Sequence, residues 1–169
     1  MPKPLILVVY DSRTGNTEKM ARAVAEGARG VDGVRVALKK AARSKPADLL
    51  RAEGLIVGSP TYYGLLSAPV KDFFDRSVAV HGKLEGKVGA AFTSAGGTAT
   101  GAETTILSIL QALLVHGMVV QGRARDKHYG VACVGAPNRE ALKLCRELGE
   151  RTARLVVALG GSPAARENG

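Results

Sequence analysis

Residues Leu5 to Glu18 read LILVVYDSRTGNTE, and the fold is decided there. Leu5, Ile6, Leu7, Val8 and Val9 form an unbroken apolar run, rich in β-branched side chains, that stops at Tyr10-Asp11. A strand with one wet face alternates apolar and polar residues. An unbroken run is buried on both faces, as in a parallel sheet covered by helices on each side. Ser12, Arg13, Thr14, Gly15, Asn16 and Thr17 follow, and a helical pattern begins directly after them. One N-cap residue is enough to start a helix. Here hydroxyls, an amide, a guanidinium and a glycine crowd between a strand end and a helix start. That set suits a phosphate monoester, which takes N–H groups at a helix N-terminus, hydroxyl donors and a close backbone approach.

Working outward, the 169 residues make one domain with a sizeable core. Hydrophobic residues at 46% and 21 glycines suit an α/β protein and argue against disorder. No apolar run reaches membrane-spanning length, and MPKPLILVVY lacks a signal-peptide cleavage pattern, so no membrane association is expected. Cys133 and Cys145 form neither a CxxC nor a zinc spacing. They are expected to be buried thiols in a cytoplasmic protein with no metal site. The formal charge of +9 comes from scattered basic residues without a nucleic-acid module. It is read as a solvated basic surface that favours anionic ligands, with no nucleic-acid partner.

Strand and helix patterns alternate along the chain. Met20, Ala21, Val24, Ala25 and Ala28 recur at helical spacing up to Gly30, with Glu18 complementing the helix dipole. Val34–Leu38 is expected as the second strand, Pro46–Arg51 as a brief helix or turn, and Leu55–Val57 as the third strand. Pro69 opens a helix with Val70, Phe73 and Phe74 on one face. Val88–Phe92 is expected as the fourth strand. Ile106, Leu110, Leu113 and Leu114 define the next helix, closed by His116-Gly117. Met118–Val120 and Gly130–Val134 read as a fifth strand and its continuation, split by a basic loop. The last helix spans about Asn138 to Leu159, with Leu148, Leu155, Val156 and Leu159 inward. Residues 1–160 form the domain and 161–169 a polar, flexible tail.

Such βα units imply a doubly wound parallel sheet, whose ligands bind beyond the carboxyl ends of the strands. Three loops converge there. Ser12–Thr17 takes a phosphate. Pro60, Thr61, Tyr62, Tyr63 and Gly64 offer an aromatic wall for a flat heterocycle, with one tyrosine expected to pack under the following helix. Thr93, Ser94, Ala95, Gly96, Gly97 and Thr98 offer a small, polar edge. Together these describe flavin mononucleotide (FMN). A dinucleotide is disfavoured because GxGxxG is absent, and Lys39-Lys40 stand where an acidic ribose ligand belongs.

SRTGNT (Ser12–Thr17), GSPTYYG (Gly58–Gly64), TSAGG (Thr93–Gly97), HGM (His116–Met118) and HYG (His128–Gly130) carry a resemblance over nearly the whole chain. The sequence resembles the flavodoxin-like superfamily, and within it the tryptophan-repressor-binding-protein type of NAD(P)H:quinone oxidoreductase. The helix segment ETTILSILQALLVHGM is its most characteristic part. The resemblance implies a five-stranded sheet of order 2-1-3-4-5 with helices on both faces, and FMN held by the three loops. It implies two-electron reduction of a quinone by NAD(P)H. His116 matches a histidine that contacts the flavin in that family, and Tyr129 joins it as a candidate donor to a flavin or quinone oxygen. The chain departs from the family in having no tryptophan, hence none over the substrate pocket, and in being shorter between its second and third strands and before His128. GSPTYYGLLSAPVKDFFDR also resembles the NADPH-dependent FMN reductases.

Lys+Arg 24 against Asp+Glu 15 disfavours an acidic electron carrier of the flavodoxin kind, and no motif supports a DNA-associated scaffold. Ile106, Leu107, Ile109, Leu110, Leu113, Leu114 and Val115 spread around more of their helix than one buried face requires, with Leu107 and Val115 on the outer side. A homo-oligomer, dimer or tetramer, is expected to cover them.

Overall fold

The computed structural model describes residues 2–160, so the expected tail at 161–169 lies outside the described residues. Side-chain alternation along β1 (Leu5–Tyr10) splits the core in two. Ile6, Val8 and Tyr10 enter one cluster with Met20, Val24, Leu148 and Val156. Leu7 and Val9 enter the other with Val70, Phe73, Ile109 and Leu113. Both faces of β1 are therefore dry, as its unbroken apolar run requires.

The strands β1, β2 (Arg35–Lys40), β3 (Ala52–Pro60), β4 (Val88–Ala95) and β5 (Val119–Val120) form a parallel sheet in the order β2-β1-β3-β4-β5. β6 (Val131–Val134) continues the fifth position. β5 pairs with Val88 and Gly89 at the amino end of β4, and β6 with Phe92 to Ala95 at its carboxyl end. α1 (Asn16–Arg29) and α5 (Arg139–Gly160) cover the first face, and α2 (Pro46–Arg51), α3 (Ala68–Arg76) and α4 (Ala102–Val115) the second.

Two strands run further than their apolar cores. β3 extends to Pro60 and β4 to Ala95, with Ser59 opposite Thr93 and Pro60 opposite Ser94. Thr93, Ser94 and Ala95, expected in the third loop, are thus buried strand residues, and Pro60 ends a strand. Small polar residues survive there because their groups are paired. Thr93 Oγ1 donates to the Ser59 carbonyl (2.7 Å), and Ser59 Oγ donates to the Pro60 carbonyl (2.8 Å) while accepting Ser67 N–H (2.8 Å). β2 is displaced toward Lys40 from the expected Val34–Leu38.

Among the expected helix faces, Leu148 and Val156 of α5 are buried, whereas Leu155 and Leu159 are half-buried. Leu114 of α4 does not point inward. It is 59% exposed, because Ile106, Ile109, Leu110 and Leu113 already fill the face toward the sheet. Both cysteines are free and buried, and burial pushes the Cys145 thiol up to about 12. Among the described residues no helix is long and apolar enough to cross a membrane.

Candidate functional site at the carboxyl edge of the sheet

Gly15 caps α1 in a left-handed conformation (φ 95°, ψ −8°) that only glycine adopts cheaply. No side chain caps the helix. The Ser12 hydroxyl instead accepts Gly15 N–H (3.1 Å), and the first helical bond runs from Lys19 N–H to the Gly15 carbonyl (3.0 Å). The N–H groups of Asn16, Thr17 and Glu18 are therefore left without intrahelical acceptors. A Cβ on Gly15 would meet nothing within 4 Å, so there is open space beside the start of the helix. Glu18, the one anion in this turn, is paired with Arg22 at 2.6 Å. This cradle fits a phosphate. Thr14 is exposed toward it, whereas Thr17 is buried, its hydroxyl bonded to Ser94 Oγ at 2.7 Å.

The second loop is a two-residue hairpin. Tyr62 and Leu65 exchange both backbone hydrogen bonds (3.0 and 3.1 Å), and Tyr63 (φ 50°) and Gly64 (φ 75°) form a left-handed turn of type I′. A tyrosine in that conformation is strained by about 1 kcal/mol. The turn leaves Tyr63 without cover and Tyr62 only partly covered, so neither ring is buried under the following helix as expected. Tyr62 is 36% exposed and Tyr63 fully so. Thr104 Oγ1 donates to the Gly64 carbonyl (2.6 Å), and a Cβ on Gly101 would stand 2.4 Å from Gly64 Cα. Gly101 and Thr104, absent from the sequence-based candidates, thus pin the hairpin to α4. The only trace of this in the sequence is a glycine at a helix start.

Gly96, Gly97 and Thr98 form the turn beyond β4, and among the described residues none of the backbone hydrogen bonds outside helices and strands uses their N–H groups. The three loops are tied to one another. Thr61 N–H reaches the Ser94 carbonyl (2.7 Å), and Thr61 Oγ1 lies 2.9 Å from Thr93 Oγ1. The Thr17–Ser94 bond joins α1 to β4. The walls of a cleft are set in advance, which lowers the ordering cost of any ligand.

Two candidates are not brought to this cleft. His116 follows α4 at the amino edge of the sheet, where Gly117 O accepts the N–H of Gly86, ahead of β4. At 3.3 Å per residue, β4 separates it from the loops by roughly 25 Å. Tyr129 is half exposed beside His128, just ahead of the point where β6 joins Phe92, and so roughly 15 Å short of the loops. Neither side chain reaches the cleft of its own chain.

His116 is a buried structural group instead. Ser77 Oγ lies 2.5 Å from the Phe74 carbonyl and 2.7 Å from His116 Nε2. Two oxygens this close need a proton between them, so Ser77 donates to Phe74 and Nε2–H donates to Ser77. Nδ1 is then a bare, buried lone pair with no partner among the described residues. Burial, and secondarily the nearby His81 ring, hold His116 below the usual histidine value. Because the folded value lies below the unfolded one, stability is complete above about pH 6.5. It is lost as the pH falls further, since the unfolded chain takes up a proton that the folded chain resists. Urea midpoints measured from pH 7.5 to 5 should fall accordingly, and His116→Gln, which keeps an N–H toward Ser77, should remove that component. The same slope in the variant would refute the assignment.

A cavity of about 630 Å³ opens at the amino edge, among Lys3, Arg35, Arg51, Lys87, Val88 and Val157. None of the candidate residues lines it, and doubly wound sheets take their ligands at the other end.

Comparison with known proteins gives the family. Residues 37–125 match the family described as NADPH-dependent FMN reductase. A protein of Aquifex aeolicus named flavodoxin is 44% identical over 160 residues, covering 90% of this chain and 86% of its own. An NAD(P)H dehydrogenase (quinone) of Archaeoglobus fulgidus is 35% identical over 188 residues, covering 91% and 98%. The crystal structure of a flavodoxin, WrbA-like protein from Agrobacterium tumefaciens superposes with a TM-score of 0.76 at 25% identity, covering 92% and 98%. With its sheet order, its uncapped first helix and these relatives, the chain belongs to the flavodoxin-like family of FMN-binding, NAD(P)H-dependent oxidoreductases.

Proposed function

We propose that the chain binds FMN in the carboxyl-edge cleft and catalyses two-electron reduction of quinones or similar acceptors by NAD(P)H. The uncapped N-terminus of α1, open beside Gly15 and flanked by the Tyr62–Tyr63 hairpin, is the observation that carries this reading. The N–H groups of Asn16, Thr17 and Glu18, with the hydroxyls of Ser12 and Thr14, hold the phosphate. Tyr62 and Tyr63 provide a wall against the ring, and Gly96, Gly97 and Thr98 turn N–H groups toward its polar edge. FMN, when bound, supplies reversible acceptance and release of two electrons. The N–H-rich edge and the +9 charge favour negative charge next to it, which suits two-electron work. The two buried free thiols suit a reducing cytoplasm.

The test is NADH and NADPH oxidation by the FMN-loaded protein with benzoquinone or menadione as acceptor. Turnover that requires both FMN and quinone supports the reading. A second reading, an electron carrier, has the 44% identity to a protein named flavodoxin in its favour. It predicts negligible NAD(P)H oxidation with every quinone, together with reduction by a separate flavoprotein reductase.

A homo-oligomer completes the proposal. Leu107, Leu114 and Val115 stand 37%, 59% and 69% exposed on the outer side of α4. An apolar patch of this kind is covered most often by a second copy. Leu107→Glu should give a monomer that still binds FMN but turns over more slowly. A wild-type mass of 17.6 kDa by light scattering at low concentration would overturn the assembly.

A further inference from the structure

We propose that Arg13 acts as a clasp between two loops of the cleft rather than as the counter-ion of the phosphate, and that it slows flavin release; this rests on the FMN reading above. The Arg13 guanidinium carbon lies 5.4 Å from the centroid of the Tyr62 ring, within the range of a cation–π contact. The two residues come from different crossovers, Arg13 from the β1–α1 loop and Tyr62 from the β3–α3 hairpin.

The other polar ties of the first loop go elsewhere. Ser12 bonds within the loop to Gly15, and Thr17 bonds across to Ser94 of β4. Among the described residues, no hydrogen bond or ion pair joins the first loop to the hairpin, and Arg13 has no carboxylate partner. Tyr62 has the anchored backbone of the pair. Tyr62 is held by both hairpin hydrogen bonds, and Thr104 holds the hairpin to α4. Arg13 is the movable half, an exposed side chain on a loop otherwise free of cations.

A ligand with its phosphate at the start of α1 and its ring against the hairpin lies between these two anchors. The Arg13–Tyr62 contact crosses from one to the other. It therefore resists departure of the whole ligand rather than holding its phosphate, and a flavin without phosphate should feel it equally. A guanidinium stacks on a ring face better than an ammonium does, so charge alone does not replace it.

The experiment measures release rates of FMN and of riboflavin, which lacks the phosphate, by stopped-flow flavin fluorescence. The proteins are wild type, Arg13→Ala, Tyr62→Ala, the double variant and Arg13→Lys. A clasp predicts that Arg13→Ala speeds release of both flavins by about 2- to 5-fold. It predicts no further effect of Arg13→Ala in the Tyr62→Ala background, and release from Arg13→Lys faster than from wild type. Acceleration confined to FMN would overturn the clasp and make Arg13 the counter-ion. Effects that multiply in the double variant, or no effect of Arg13→Ala, would overturn it as well. Failure of the wild-type protein to bind either flavin would remove the flavin reading itself and the clasp with it, a result separable from all the others.

Discussion

Gly15→Val should weaken FMN binding at least 100-fold while the chain remains folded. At φ 95° a β-branched residue is strained, which costs about 1–2 kcal/mol. No protein atom within 4 Å of the new Cβ would add a steric penalty. The binding loss is expected because a branched side chain at the helix start adds bulk, and strain in the turn, next to the N–H groups of Asn16, Thr17 and Glu18 that the phosphate would use. A hundredfold loss is about 2.7 kcal/mol, the size of one or two charge-assisted hydrogen bonds. Thr14→Glu tests the same site by charge. It should weaken FMN far more than riboflavin, whereas Gly15→Val can weaken both by distorting the helix start. Fluorescence titration of both flavins separates the cases, and FMN affinity within a few-fold of wild type in Gly15→Val would place the phosphate elsewhere.

Gly149→Ala should destabilise the protein by about 3 kcal/mol, and Gly149→Val by more. Gly149 lies on α5, and a Cβ there would fall 1.9 Å from the Val24 carbonyl oxygen and 2.9 Å from Ala28 N, both on α1. Gly27 on α1 is its counterpart, with its Cβ position 1.9 Å from the Arg146 carbonyl oxygen. These are backbone atoms, and no side-chain rotation relieves the overlap. The two helices must separate, opening the packing of Met20, Val24, Cys145 and Leu148 between them. Urea denaturation of the flavin-free protein gives the loss directly, and excess FMN should recover part of it by mass action. A loss below 1 kcal/mol would mean that the helices pack less closely than these distances indicate. Gly149→Ala should also weaken FMN, since α1 carries the phosphate cradle at its N-terminus.

The parallel doubly wound sheet and the cleft followed from local features, whereas the strand order 2-1-3-4-5 came with the family resemblance. Leu5–Val9 is apolar on both faces, which only a helix-covered parallel strand tolerates, and the alternation of strand and helix patterns then sets the crossovers. Ser12–Thr17 was legible for the same reason, since left-handed glycine, hydroxyls and a helix start are properties of adjacent residues. Hydrogen bonds between distant segments were not legible. Thr93 and Ser94 read as loop residues by polarity, yet Ser59, Thr61 and Thr17 satisfy their groups and make them buried strand residues. Tyr62 and Tyr63 read as a wall with one ring tucked away, and a type I′ turn, which the sequence YYG does not announce, left Tyr63 fully exposed and Tyr62 partly so, with neither ring buried.

His116 marks the boundary most clearly. It matched a family motif, but its place is set by the length of α4. Fourteen residues at 1.5 Å each carry the chain about 21 Å from the loops to the far edge of the sheet, where Ser77 accepts a hydrogen bond from its Nε2–H. Gly27 and Gly149 were equally silent. Each is an unremarked glycine in its own helix, and only the crossing of α1 on α5 makes it irreplaceable. Patterns within a window of residues are physics that the chain carries by itself. Which carbonyl meets which glycine, and which hydroxyl finds which imidazole, depends on atoms more than a hundred or some forty residues away, and exists only once the layers have packed.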